Sequence, residues 1–333
     1  MANPDAEPLD RDRAGSPQLL GADVFAIDTR MSGYDGITSA YLIRADRPCL
    51  VETGTATSAE VVRASLAELG IGPQDLATVV VTHIHLDHAG GVGTIARMFP
   101  AAEVVVHERG ARHLVDPERL MTSARRVFGS VLDDVFGLLE PTEASRVTAL
   151  ADVGVVDLGA GRTLSAFHAP GHAQHHLGLV DSATGDLYVG DAAGVYIPET
   201  KDLRPSTPPP DFDLDLAIDS LHRFRDVAPT RLLFSHFGPV ETVAESLGRA
   251  EEELRLWVEL VRETRANALD LDHAVQRVTE KTAERYAAYL ENDAVLRKFE
   301  HLNATAANIV GINRWLDRVE GDAQDLGDAS AAR

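Results

Sequence analysis

The 333-residue chain contains a single cysteine, Cys49, so no disulfide can form within it. That thiol lies in RPCLVE, which reads as a buried strand, and a buried structural role is expected for it. Basic residues are scarce beside acidic ones, 31 against 52, and the formal net charge is −21. This excess repels phosphate backbones and anionic membranes, which argues against nucleic acid or a membrane as partner. No stretch approaches the roughly 20 consecutive apolar residues of a membrane-spanning helix. Residues 1–18 carry Pro, Asp and Arg without the apolar core of a signal peptide, so a flexible arm on a cytoplasmic protein is expected. Residues 321–333 read as a second flexible, polar segment, and no repeat of solenoid length is visible.

What is present is an apolar fraction of 44%, ordinary for a globule with a large core, and one segment dense in metal-ligand residues, VVVTHIHLDHAGG at 79–91. Val79, Val80 and Val81 form a β-branched run typical of a strand buried on both faces. The ligand-type residues follow at its end. Alternate side chains of an extended segment share a face, so His83 and His85 can address one ion while Asp87 and His88, past a bend, turn toward a second. Gly90 and Gly91 permit a tight turn into a helix predicted over 94–99. Imidazole suits zinc, and a carboxylate completes a harder ligand set.

HIHLDH followed by AGG resembles the signature of the metallo-β-lactamase-fold hydrolase superfamily, and the likeness extends over about 22–239. Pro170-Gly171-His172, Gly190-Asp191 and Ser235-His236 each follow an apolar run, as that family's later ligands do. The resemblance implies an α+β fold, a four-layered αββα sandwich. It also implies one metal site of His83, His85 and His172, a second of Asp87, His88 and His236, and Asp191 bridging them. Glu52-Thr53-Gly54 stands where the family usually has Asp-Thr-Gly; the longer acid can still orient a ligand imidazole. His175 and His176, beside His172, are expected to support the site and not to ligate.

The catalytic domain is expected over 19–240. Strands are predicted at 24–28, 38–44, 49–52 and 103–107, with a helix from a Ser58 cap to Leu69. The interval 108–150 reads as a mostly helical insertion and a candidate lid; His107 and His113, in or beside it, are taken as surface or packing residues. Further strands are predicted at 153–158, 163–169, 177–181 and 187–190. Residues 192–213 are Pro-rich and read as an irregular loop beside the site. Within it, Tyr196 is the phenol near the bridging acid; lactone-cleaving relatives use such a tyrosine, although five residues separate the pair here where they have three. After the last ligand, apolar stripes at 243–261, 271–289 and 305–319 predict an all-helical C-terminal extension over 241–320.

The expected chemistry is hydrolysis of a carboxylic ester-type bond, a thioester or lactone, in a small molecule. Asp87 and Tyr196 are its candidate catalytic residues, and the expected cofactor is a pair of divalent ions, zinc first, with iron or manganese as alternatives. A mononuclear iron persulfide dioxygenase of the same fold and a non-catalytic binding module are the competing readings. Assembly into a homo-oligomer is left open.

Overall fold

The computed structural model describes residues 17–300, 302 and 304–331, so most of the expected N-terminal arm lies outside the described residues. Strands β1 (Gln18–Gly21), β2 (Val24–Asp28), β3 (Ser39–Ile43), β4 (Cys49–Val51), β5 (Thr78–Val80), β6 (Glu103–His107) and β7 (Val147–Leu150) form one sheet in that order. The chain continues through β8 (Val153–Asp157), β9 (Thr163–His168), β10 (Leu177–Asp181) and β11 (Asp186–Gly190). A ribbon of β12 (Val195–Ile197) and β13 (Asp202–Arg204) follows, then β14 (Arg231–Phe234) and β15 (Gly238–Val240). The second sheet has the order β15-β14-β11-β10-β9-β8.

The two sheets face each other across a core of Tyr41, Cys49, Val80 and Val105 from the first and Leu164, Leu177, Tyr188 and Leu233 from the second. β5 lies between β4 and β6, parallel to both, with Val80 opposite Val51 and Val105. Its valines divide between faces: Val80 enters the inter-sheet core, and Val79 points to the outer helices. Both are fully buried, each contributing about 1.5–3 kcal/mol relative to exposure. Cys49 is a free thiol at 0% exposure, and burial pushes its pKa up, which keeps it protonated and inert.

Outside the first sheet lie α1 (Ala59–Glu68), the single turn α2 (Leu86–Ala89), α3 (Val92–Met98), α4 (Glu108–Val115) and α5 (Glu118–Phe128). Ser58 does not cap α1; its hydroxyl is taken by Thr55 at 2.8 Å. The segment 108–150 is mostly helical, and its last four residues form β7, which extends the sheet edge alongside β6. Its apolar residues, Leu114, Leu132 and Phe136 among them, join the core under the outer helices.

The second sheet is covered by α6 (Leu214–Asp226) and by α7 (Val243–Ala266), α8 (Leu271–Thr282), α9 (Ala287–Leu290), α10 (Asp293–Glu300) and α11 (Thr305–Ala331). Leu187, Leu232 and Phe234 meet Leu221, Leu254 and Trp257 there, completing the helix, sheet, sheet, helix order of a four-layered sandwich. The stripe at 271–289 is not one helix but α8 and α9. The chain turns between them so that Tyr286 enters the interior and donates to buried Glu253 at 2.5 Å. Backbone helix continues to Ala331, across a stretch that reads from sequence as a flexible, polar tail. No helix among the described residues is long and apolar enough to cross a membrane.

Residues 192–213 are not wholly irregular, because Val195 and Ile197 are buried in the second-sheet core and their backbone pairs with β13. The extension grips this ribbon. Arg204, 5% exposed, donates to Tyr289 Oη and Thr305 Oγ1 at 3.0 Å each and lies 4.8–5.6 Å from the rings of Trp257, Tyr286 and Tyr289. Thr207 bonds Asn308, and a Cβ at Gly311 would collide with the Thr207 carbonyl, so α11 lies directly on the loop.

Candidate metal centre

The site forms where chain segments leave the facing strands of the two sheets. Val81 and Thr82 carry the chain out of β5, and His83, fully buried, is the first side chain past the core. Asp87 and His88 lie on the one-turn helix α2, where sequence reasoning placed only a bend; the turn carries both side chains toward the second sheet. His172 comes from the β9–β10 connection, Asp191 from the end of β11, and His236 from the end of β14.

In the first group, His83 Nε2 lies 3.0 Å from His85 Nδ1, and His172 Nε2 lies 2.9 Å from the same atom. His172 Nδ1 donates to the carbonyl of Ser206 at 3.1 Å, which leaves the Nε2 lone pair aimed into the group. Burial lowers the pKa of all three imidazoles, that of His172 to about 4, so all three are neutral ligands near neutral pH.

The second group joins His88, His236 and Asp87. His236 Nδ1 donates to the carbonyl of Ile37 at 3.0 Å; its Nε2 faces His88 Nε2 at 3.2 Å and Asp87 Oδ2 at 3.4 Å. Burial opposes charge on both imidazoles, but Asp87 and Asp191 outweigh it: the pKa of His236 is pushed up to about 9 and that of His88 also rises. The same neighbours hold both carboxylates well below the usual range against the cost of burial.

Asp191 stands between the groups. Its Oδ1 lies 3.2 Å from both His88 Nε2 and His236 Nε2, and its Oδ2 lies 3.6 Å from His172 Nε2. Oδ1 is buried without a hydrogen-bond partner. Imidazole nitrogens meeting at 2.9–3.0 Å around one point, beside a carboxylate oxygen without a hydrogen-bond partner, form an arrangement that a cation would satisfy. A nitrogen-rich donor set with carboxylates suits divalent transition ions. The seven residues named from sequence thus come together in space, as two triads, His83–His85–His172 and Asp87–His88–His236, with Asp191 between them beside His83 and His88.

Supporting contacts surround them. Glu52, 1% exposed, faces His88 Nδ1 with Oε2 at 3.7 Å, while its Oε1 accepts from Thr82 N and Ser235 Oγ. His176 Nε2 accepts the backbone N–H of Asp191 at 3.1 Å, and His175 Nδ1 accepts that of Ile84 at 3.4 Å, so both rings support backbone beside the site. Gly190, at φ +50°, permits this approach, since a Cβ would strike His176 and Thr82. Ser206 was not foreseen. Its hydroxyl donates to Asp191 Oδ2 at 3.2 Å while its carbonyl holds His172, but a serine in a Pro-rich loop carries no local mark of that role.

Tyr196 sits on β12, its backbone N–H donating to the His236 carbonyl at 2.6 Å and its half-buried ring 5.7 Å from that of Phe234. Its hydroxyl makes no hydrogen bond to a site residue among the described residues. A cavity about the size of one water lies beside His172, Asp191 and Ser206, walled by Ala217 of α6 and by Ala250 and Leu254 of α7. The extension therefore packs behind His172 and Asp191, whereas the apolar residues of 108–150 pack under the outer helices of the first sheet.

The sequence profile of the metallo-beta-lactamase superfamily matches residues 33–236. The chain is 30% identical over 190 residues to the metallo-beta-lactamase fold-containing protein ST1585 of Sulfurisphaera tokodaii, covering 55% of this chain and 70% of that one. It is 24% identical over 262 residues to the probable metallo-hydrolase YqjP of Bacillus subtilis, covering 72% and 79%. Among solved structures, the metallo-beta-lactamase family protein TTHA1429 of Thermus thermophilus superposes with a TM-score of 0.62 at 22% identity, over 91% of this chain and 95% of that one; at that identity the likeness concerns the fold.

Proposed function

Since the chain belongs to the metallo-beta-lactamase superfamily, whose members are mostly metal-dependent hydrolases, we propose that it is a dinuclear hydrolase acting on a carboxylic ester-type bond of a small molecule. The observation that carries this reading is the placement of Asp191, with one oxygen toward His172 and the other toward His88 and His236. His83 Nε2, His85 Nδ1 and His172 Nε2 would hold one divalent ion, and Asp87, His88 Nε2 and His236 Nε2 the other, zinc being the ion such donors favour. Two bound ions would supply a water of near-neutral pKa and polarisation of a substrate carbonyl.

The protein's own contribution is orientation and exclusion. The carbonyls of Ser206 and Ile37 fix the tautomers of His172 and His236, and Glu52 faces the outer nitrogen of His88. Asp87, whose side chain is 13% exposed, is the more open acid of the pair and would orient a water or substrate at the second ion. The charge of −21 disfavours phosphodiesters of nucleic acid, which leaves thioesters and lactones as the preferred class.

The test combines metal analysis with a substrate panel. Wild-type protein in excess zinc is expected to hold an ion in each triad, and His236→Ala to lose that of the second triad. Acyl thioesters or lactones should have higher kcat/KM than bis-aryl phosphates. Full activity at one ion per chain would overturn the dinuclear reading, and preference for the phosphates would overturn the bond assignment.

A further inference from the structure

A separate cluster lies at the edge where the two sheets are joined. His107 is the last residue of β6, His168 the last of β9, and Asp152 sits in the tight connection between β7 and β8. Their three ligand atoms lie within 4.8 Å of one another. Asp152 Oδ1 is 3.2 Å from His168 Nδ1 and 3.6 Å from His107 Nε2. His107 is 0% exposed, and its Nε2 is buried without a hydrogen-bond partner.

The hydrogen bonds leave this cluster unsatisfied. His168 Nε2 lies 2.9 Å from the carbonyl of Gln174, which can only accept, so the ring proton is on Nε2 and the Nδ1 lone pair faces a carboxylate oxygen. A second proton on His168 would settle that contact, yet it would leave His107 Nε2 unpaired. A cation settles both. From the geometry we propose that His107 Nε2, His168 Nδ1 and Asp152 Oδ1 form a further metal site, taking one divalent transition ion with water completing its shell.

A tetrahedral ion with bonds of about 2.0–2.1 Å sets its donors about 3.3 Å apart. The separations of 3.2 and 3.6 Å from Asp152 match that spacing. The His107 and His168 rings stack with centroids 4.4 Å apart and planes 17° from parallel, so binding turns one ring to bring both lone pairs onto the ion. His107 Nδ1, which accepts from Arg109 N at 3.3 Å as the N-cap of α4, then gives up that bond and takes the ring proton. Asp152, its side chain 73% exposed, is free to follow and leaves the outer face open to water. The ion would tie β6 of the first sheet to β9 of the second. It would also steady His168, whose ring holds Gln174 in the loop that carries His172.

Zinc content and thermal unfolding of the full-length protein test the site, with zinc alone as probe. After dialysis against chelator-buffered Zn2+, wild type is expected to hold one more ion per chain than Asp152→Ala or His107→Gln. Its Tm should also rise further on zinc addition. Equal zinc content in wild type and Asp152→Ala at saturating zinc would overturn the proposal. Asp152→Ala alters an exposed side chain and decides alone should His107→Gln fail to fold. The readout is a difference between variants, so it holds whether the other triads take one ion or two.

Discussion

Glu52 Oε2 and His88 Nδ1 face each other at 3.7 Å, both buried and neither with a hydrogen-bond partner. The carboxylate reaches the outer nitrogen of a ligand imidazole, and the rest of the ring is thereby aimed inward. Glu52 adopts φ +65°, a strained conformation for a residue with a side chain, and its second oxygen is held by Thr82 and Ser235. Removing it as Glu52→Ala should weaken binding of the ion at the second triad by about 10–100-fold, with Glu52→Gln intermediate. Competition against a fluorescent zinc chelator measures this, and unchanged affinity in both variants would exclude the orienting role.

The two triads should differ in pH response. His236, pushed up to about 9 by Asp191 and Asp87 against burial, carries a proton at neutral pH without metal, whereas His172, lowered to about 4, does not. An ion entering the second triad must displace protons; one entering the first need not. Calorimetry at pH 7 in two buffers of different ionisation enthalpy should find proton release with the second ion alone, and affinity for it should rise up to pH 9. The sign for stability is opposite. A folded pKa above the ordinary value of about 6.5 means that metal-free protein gains from His236 below that pH and loses the gain as pH rises through about 9. Its Tm should fall over that interval while that of zinc-loaded protein does not.

Arg204 carries the prediction about the helical extension. It is buried among Trp257, Tyr286 and Tyr289 and bonded to Tyr289 and Thr305, so it fastens the loop containing Ser206 to three helical segments. Arg204→Met should cost at least about 2 kcal/mol in urea unfolding. At temperatures where it remains folded, it should raise KM more than it lowers kcat, because the helices it fastens pack beside the site without supplying a ligand. Wild-type stability and KM together would dismiss the fastening role.

Much of the architecture is legible in local pattern. A run of buried valines followed by HIHLDH marks a strand and the ligands at its end, because burial and side-chain alternation are properties of neighbouring residues. The same holds for His172, Asp191 and His236, each directly after an apolar run, and for the stripes that became α7 and α11. The ribbon Val195–Ile197 was hidden because its prolines and polar neighbours signal a loop, while its strand character comes from burial against the second sheet. The break between α8 and α9 arises likewise, from Tyr286 turning inward to Glu253.

Sequence by itself determined which side chains could bind metal, since ligand chemistry belongs to residue type. Tertiary structure decided which atoms meet. It set one oxygen of Asp191 toward each half of the centre, brought Ser206 under both Asp191 and His172, and left the Tyr196 hydroxyl without a bond to either. It also gathered His107, which reads singly as a packing or surface residue, with Asp152 and His168. Those encounters depend on how two sheets stack and where their strand ends coincide, and pairings between positions tens of residues apart leave no mark on local pattern.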